Sequence, residues 1–293
     1  AYQARTGRQI KNIAIDTRDN VLKDITEWYR TDAGLKELAG LRELTTLDLC
    51  ETLVTEKGLG ELKALEKLSV LHLGGIAMSD AGLAAIGEIK HLTRLSLERD
   101  AVTDAGCREI GKFSHLTSLH LTATQISDDG LKQLIGLEGL TELRVGQNRI
   151  TDEGLKTIGS IGNLSILDLY ATQISDAGLE HLKGLKGLRV LNVGKNRVSD
   201  GGVKSIGDFG ELTSLDLSET TVTADGVKRL KGLKNLTRLN LSKTGMVDRG
   251  LGELAELRSL TRVDVAHTRV TERGIQQFRQ NAKPPFPVID AGR

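Results

Sequence analysis

The sequence has few of the residues that staple or interrupt a fold, and each shortage excludes something. Only Cys50 and Cys107 could pair, and they fall in different repeats and on different surfaces of the repeat described below. A disulfide framework is therefore excluded. Extracellular solenoids often cap their ends with disulfides, and both ends here lack cysteine, so a reducing, cytoplasmic compartment or a bacterial cell is expected. Prolines stand only at 284, 285 and 287, so nothing upstream breaks a regular pattern. Aromatic residues make up 3% of the chain, too few for a large irregular core. Apolar runs are short, against the roughly 20 residues needed for a membrane span, and the start, AYQARTGRQI, has no apolar signal core. The formal net charge is +1, which gives no bulk attraction to nucleic acid or an anionic membrane.

What the chain does have is one unit repeated. Leucines at 44, 68, 92, 116, 140, 164, 188, 212, 236 and 260 each open a copy of it, typified by LSILDLYATQISDAGLEHLKGLKG from 164. Counting that leucine as position 0, positions 0, 3, 5, 10, 15, 18 and 21 are apolar in every repeat except at Asn281. The length alone suggests about two domains, but a solenoid grows by addition, so one elongated domain is expected. Alternation around Leu167 and Leu169 predicts a short strand. Ser175 and its counterparts Thr55, Ser79, Thr103, Ser127, Thr151, Ser199, Thr223 and Thr271 suit a helix N-cap, with Val247 the exception. Leu179 and Leu182 then share one helix face, and glycines such as Gly136, Gly159, Gly184 and Gly232 are placed to end the helix. Stacked, such units pair their strands into one parallel sheet on the inside of a curve, with helices outside.

The form LxxLxLxxTxITDxGLxxLxxLxx resembles the leucine-rich repeat over residues 44–283. It is similar to the cysteine-containing subclass, related to the ribonuclease-inhibitor type, and closer to bacterial versions with Thr or Asn in the cysteine's place. The resemblance implies an α/β fold, a right-handed horseshoe solenoid with its parallel sheet concave and its helices convex. It also implies a binding role, without saying which.

Residues 1–43 are expected to form an N-terminal cap and irregular first repeat. Ile10, Ile13 and Ile15 mimic positions 0, 3 and 5, and Val21, Leu22, Ile25, Trp28 and Tyr29 recur at helical spacing as a helix plugging the open core. Residues 284–293 form the other cap, with prolines stopping the last helix and Val288 and Ile289 adding an edge strand. In the centre, the units at 116 and 164 agree at 15 of 24 positions and those at 140 and 188 at 12, whereas adjacent units 116/140 and 164/188 agree at 8 and 5. The centre is therefore a duplicated pair of repeats.

Several columns have structural explanations. Glycine at position 14 avoids a collision with the neighbouring repeat or supplies a positive φ. The acidic column Glu56, Asp80, Asp104, Asp128, Asp152, Asp176, Asp200, Asp248 and Glu272, broken at Ala224, complements helix N-termini by roughly 0.3–1 kcal/mol each. Thr or Asn at position 8 resembles the family's polar ladder, which bonds turn backbone, and Ile76 and Asp100 depart from it, so their turns are looser or locally different. Triplets beginning at Asn163, Asn235 and Asn240 match a glycosylation acceptor only because repeats start with Leu-Ser or Leu-Thr.

The outward strand positions vary on this fixed frame. Expected partner-binding residues are His72, Glu98, Arg99, His120, Arg144, Gln147, Asp168, Tyr170, Asn192, Lys195 and Asp216, with Tyr170 and Arg144 as anchors of the type common at interfaces. The Asp/Asn column from 168 to 264 keeps the face soluble. Catalysis is not expected: His72 and His120 lie about 9.6 Å apart across two strand spacings, too far to share a metal, and no CxxC, HExxH, GxSxG or GxGxxG string occurs. Cys107 fills a buried slot, and Cys50 is outward beside Asp48 and Glu51. The sequence thus predicts a monomeric, non-catalytic protein-binding module with no cofactor, metal or nucleic-acid partner. Two other readings are a substrate-recognition arm of a larger ubiquitin-ligase-like or effector protein, and a self-associating surface protein.

Overall fold

The computed structural model describes residues 12–14 as backbone and residues 31–281 and 287–292 in full. The predicted capping helix around Trp28 lies outside these residues. The chain divides into two compact units, 1–140 and 141–293, each built the same way and each described by itself.

In the first unit, β1 (Asn12–Ala14), β2 (Thr46–Asp48), β3 (Val70–His72), β4 (Arg94–Ser96) and β5 (Ser118–His120) pair in parallel and in chain order. In the second, β6 (Glu142–Arg144), β7 (Ile166–Asp168), β8 (Val190–Asn192), β9 (Ser214–Asp216), β10 (Arg238–Asn240), β11 (Arg262–Asp264) and β12 (Val288–Asp290) do likewise. The registers match the sequence columns: Ile13 opposes Leu47, and Ile289 in the last strand opposes Val263. Between strands run helices of four to ten residues, such as Asp176–Leu179 and Glu272–Asn281. Several shorten to one turn and continue as a 3-10 segment, as at Glu180–Gly184. The apolar columns form the core between sheet and helices; Leu164, Leu167, Leu169, Ile174, Leu179, Leu182 and Leu185 are all fully buried.

Three columns have different or larger jobs than the sequence suggested. The acidic residue at position 12 clamps one repeat to the next. Asp152 takes the backbone N–H of Ser175 on Oδ1 (2.7 Å) and its hydroxyl on Oδ2 (2.6 Å). Asp32, Asp80, Asp104, Asp176, Asp200 and Asp248 hold Thr55, Thr103, Ser127, Ser199, Thr223 and Thr271 in the same way. Charge-assisted bonds of this kind contribute about 1.5–3 kcal/mol each, well above the helix-dipole value. The glycine at position 14 makes room for the clamp: a Cβ on Gly178 would sit 2.3 Å from Asp152 Oδ1, and its φ is not positive. The collision alternative therefore holds. Where the acid is missing, at Ala224, the hydroxyl is missing too, at Val247, so the two exceptions form a single apolar replacement of a polar pair.

Glycines at position 19 or 20 were expected to end the helix, and Gly184 and Gly232 do close their 3-10 segments. Gly111 and Gly207 do follow their helices, but in right-handed conformation, with φ of −59° and −57°. Their requirement is space: a Cβ on Gly159 would lie 2.1 Å from the carbonyl oxygen of His181 in the next repeat.

The turn leaving each strand passes through the left-handed region at position 7 in all ten repeats, nine times on a residue other than glycine. Such a residue costs roughly 1–2 kcal/mol in that region. Ala171, at φ 52°, has no long side chain to offset it. Ala171→Gly should therefore raise stability by about 0.5–1 kcal/mol after the added backbone entropy of glycine, measured by urea melts of the two chains. Destabilisation would show that the strain is relieved elsewhere.

Candidate functional site

The sheet face carries the variable side chains, and its position 4 is less free than the sequence implied. Wherever that residue is Asp or Asn, its side chain accepts the backbone N–H of position 6. Asp168 holds Tyr170 N–H (2.9 Å), Asn192 holds Gly194 (3.0 Å), Asp216 holds Ser218 (2.8 Å) and Asp48 holds Cys50 (2.9 Å). The Asp/Asn column therefore serves the backbone first and solubility second. The side chains outside this scheme are His72, Ser96 and His120 in the first unit and Arg144 in the second.

In the first unit His120 lies between two partners, Nδ1 3.3 Å from Glu98 Oε1 and Nε2 3.3 Å from Ser118 Oγ. The order acid, imidazole, hydroxyl is that of a hydrolytic triad, and spacing had not revealed it because Ser118 sits two positions along the same strand. Ser118 is only 6% exposed, so its hydroxyl is not offered to a substrate. The arrangement fixes the imidazole. Arg99 reaches back two repeats to Glu51 (3.3 Å), an exposed pair of little energetic weight. Burial, and then Asp48, push the Cys50 thiol up to about 12. Cys107, buried, is also raised to about 12. Both thiols stay protonated at neutral pH and are poor nucleophiles.

The two departures from the polar ladder prove to be one local structure. Ile76 is buried, and Asp100 of the next repeat, 3% exposed, closes the turn in its place. Its Oδ1 accepts Met78 N–H at 3.1 Å, and the backbone N–H groups of Gly75, Ile76 and Ala77 also face the carboxylate. Gly75 and Ala77 are both left-handed, at φ 76° and 59°. Such a concave run of N–H groups is an anion nest, filled here by a side chain. Asp100 Oδ2 has no hydrogen-bond partner. Burial outweighs the N–H bonds and lifts this carboxyl to about 7.

In the second unit Tyr170 lies across the sheet. Gly194 on the next strand leaves room for the ring, since a Cβ there would come within 3.1 Å of Tyr170 Cδ2. The hydroxyl donates to Glu219 Oε1 at 3.2 Å, and Lys243 Nζ holds the same oxygen at 3.2 Å. Tyr170 thus leans toward β9 and β10, away from Arg144, whose guanidinium is bound twice to Glu142 (2.7 Å each). The two expected anchors are not one cluster. Gln147 and Lys195 sit at left-handed turn positions, and Gln147 N–H donates to Tyr170 carbonyl oxygen at 2.6 Å. Asp216 Oδ2 accepts from Asn240 Nδ2 at 2.9 Å. The residues sequence reasoning missed are Glu219 and Lys243; the two-repeat period of the centre was the available signal, because it sets a glycine beside each bulky position-6 residue.

Parallel strands in register from repeat to repeat, a polar turn ladder and a helix on every return fit one repeat family. The family model described as "Leucine Rich repeat" matches residues 114–134, 140–159, 188–207 and 212–231. The chain is a leucine-rich-repeat protein. Among solved structures, an internalin (inlF) from Listeria monocytogenes is similar to it with TM-score 0.66 and 24% identity, over 86% of this chain and 70% of that one. An internalin C2 (inlC2) from the same species is similar with TM-score 0.52 and 25% identity, over 67% of this chain and 77% of that one. No curated protein sequence matches significantly. These likenesses agree with the leucine-rich-repeat fold. Among the described residues no helix is long and apolar enough to cross a membrane, and no group of three His, Cys, Asp or Glu could hold a metal ion.

Proposed function

We propose that this leucine-rich-repeat protein is a non-catalytic module that binds a protein partner on its sheet face, centred on Tyr170 in the second unit. The observation that carries the reading is the state of that ring. A tyrosine, rare in this chain, lies against Gly194 and is tied by Glu219, which Lys243 holds in turn, before any partner arrives. A rigid, partly exposed aromatic loses little entropy on binding. Around it Asn192, Lys195 and Asp216 supply a polar rim, and Arg144 with Gln147 supply a second contact point on the adjoining strands. In the first unit His72, Glu98, Arg99 and His120 form a polar patch on that unit's own sheet face.

Single substitutions test this directly. Tyr170→Ala and Arg144→Glu should each raise the Kd for the wild-type partner more than tenfold, about 1.4 kcal/mol or more. Tyr170→Phe, which loses only the bond to Glu219, should cost a few-fold. Titration calorimetry with chains shown to melt alike would measure this, and an unchanged Kd for both Tyr170→Ala and Arg144→Glu would remove the sheet face of the second unit from the binding site.

A further inference from the structure

The net charge of +1 conceals a strong segregation. Of 40 Lys and Arg and 39 Asp and Glu, residues 228–293 hold 14 and 6, leaving 26 and 33 in residues 1–227. The C-terminal stretch therefore carries +8 and the rest −7. Charge asymmetry of this size along a chain points to a charged partner at one end.

Four of these cations lie where the return loops feed the last regular strands. Lys234 and Arg258 occupy the same place in successive return loops, and Arg238 and Arg262 open β10 and β11 directly opposite one another. Two arginines one strand spacing apart, about 4.8 Å, repel, and the frame does little to neutralise them. Arg262 is met by Asp290 at 3.5 Å. Arg238 lies between Ser214 and Arg262 in the register. All four side chains are exposed. Beside them opens a cleft of about 710 Å³ lined by Lys234, Ala255, Glu256, Arg258, Ser259 and Asn281. Its one acid, Glu256, is already held by Lys231 at 2.7 Å. Asn281, the single polar residue in the apolar columns, thereby gains a role: it presents an amide to the cleft instead of filling a core slot.

We propose that this edge of residues 234–281 is a second docking surface, for an acidic polypeptide segment. Charge complementarity selects the acidic partner. The choice of polypeptide over nucleic acid rests on two observations. Among the described residues from 228 onward, the one large aromatic ring, Phe278, is buried at 3% exposure, so nothing offers a base a stacking platform. The amide of Asn281 suits peptide carbonyls between the acidic side chains, and the Ser259 hydroxyl, whose proton goes to the Lys234 carbonyl oxygen, can accept a peptide N–H. It takes in the residues that open β10 and β11, whereas Tyr170 reaches Glu219 and Lys243 past the other end of the strands, so the two can fail separately.

The test uses the full chain and a fluorescent oligoglutamate peptide of about fifteen residues, with an oligothymidylate and phosphatidylserine vesicles of comparable charge as rival probes. Wild type should bind the peptide more tightly than either rival, with affinity falling steeply as salt rises. Arg238→Glu with Arg258→Glu should weaken the peptide at least tenfold, while Lys186→Glu, at the same return-loop position two repeats earlier than Lys234, and Tyr170→Ala should leave it within twofold. If the double reversal does not fold, Arg238→Gln with Arg258→Gln should still weaken binding at least threefold. No binding by wild type, equal binding by the charge variants, or tighter binding to the oligonucleotide or vesicles would each overturn the proposal.

Discussion

Asp152→Ala should destabilise the chain by about 2–4 kcal/mol, because it leaves a backbone N–H and a hydroxyl of Ser175 without the carboxylate that holds both. The molecule itself contains the control. At Ala224 and Val247 both partners are apolar and the stack continues, with Val247 pairing across to Arg269 as Ser175 does to Arg197. Adding Ser175→Val to Asp152→Ala should therefore recover at least about 1 kcal/mol, since removing both members of a part-buried polar pair costs less than orphaning one. The neighbouring glycine belongs to the same cycle. Gly178→Ala should cost about 2–3 kcal/mol in the wild-type chain, where its methyl meets Asp152 Oδ1 at 2.3 Å, and clearly less in the Asp152→Ala background. Urea melts of the five chains measure all of these couplings. Strict additivity would mean that the clamp and the glycine are independent, contrary to the geometry. Because repeats couple only to their neighbours, the loss should first appear as opening of the helices on either side of the clamp, Asp152–Gly159 and Asp176–Leu179.

Asp100 should give the chain an unusual pH dependence. Its folded-state carboxyl lies at about 7, above the ordinary aspartate value near 3.9, so between these two values the folded chain holds more proton than the unfolded one. Stability must then fall as pH rises through that window and level off above it. The contribution between pH 5 and pH 8 is on the order of 2–3 kcal/mol, opposite in sign to that of a salt-bridged aspartate. Asp100→Asn removes the titration and keeps an oxygen for the nest formed by residues 75–78. The difference in stability between variant and wild type should therefore grow in the variant's favour from pH 5 to pH 8. A constant difference would place the carboxyl in its ordinary range.

The architecture was legible because it is written ten times. A glycine, an acid or a leucine that recurs once in every repeat reports a requirement of the stack, and the strands, helices and buried columns follow from it. The reasons for several columns were harder to read, because they lie in the next repeat. Asp152 belongs to one repeat and Ser175 and Gly178 to the next, so the three look like separate local signals for a dipole, a cap and a turn, yet they form one contact. The paired exceptions, Ala224 with Val247 and Ile76 with Asp100, were the available hint that the columns are coupled between repeats. On the sheet face the limits are different. The Asx bonds at position 4 belong to the frame, and the path of the Tyr170 ring depends on a missing side chain at Gly194. Alternation of strand residues places a side chain on a face and does not say which way it leans.

The central claim, that this sheet face is where the chain meets its partner, is tested most directly with three immobilised chains and one lysate. The baits are the wild type, a sheet-face variant with Arg144→Glu and Tyr170→Ala, and a helix-face variant with Lys156→Glu and Lys204→Glu, all checked for equal melting. The account predicts a protein retained by the wild type and the helix-face variant and lost from the sheet-face variant. Retention by the sheet-face variant together with loss from the helix-face variant would contradict it.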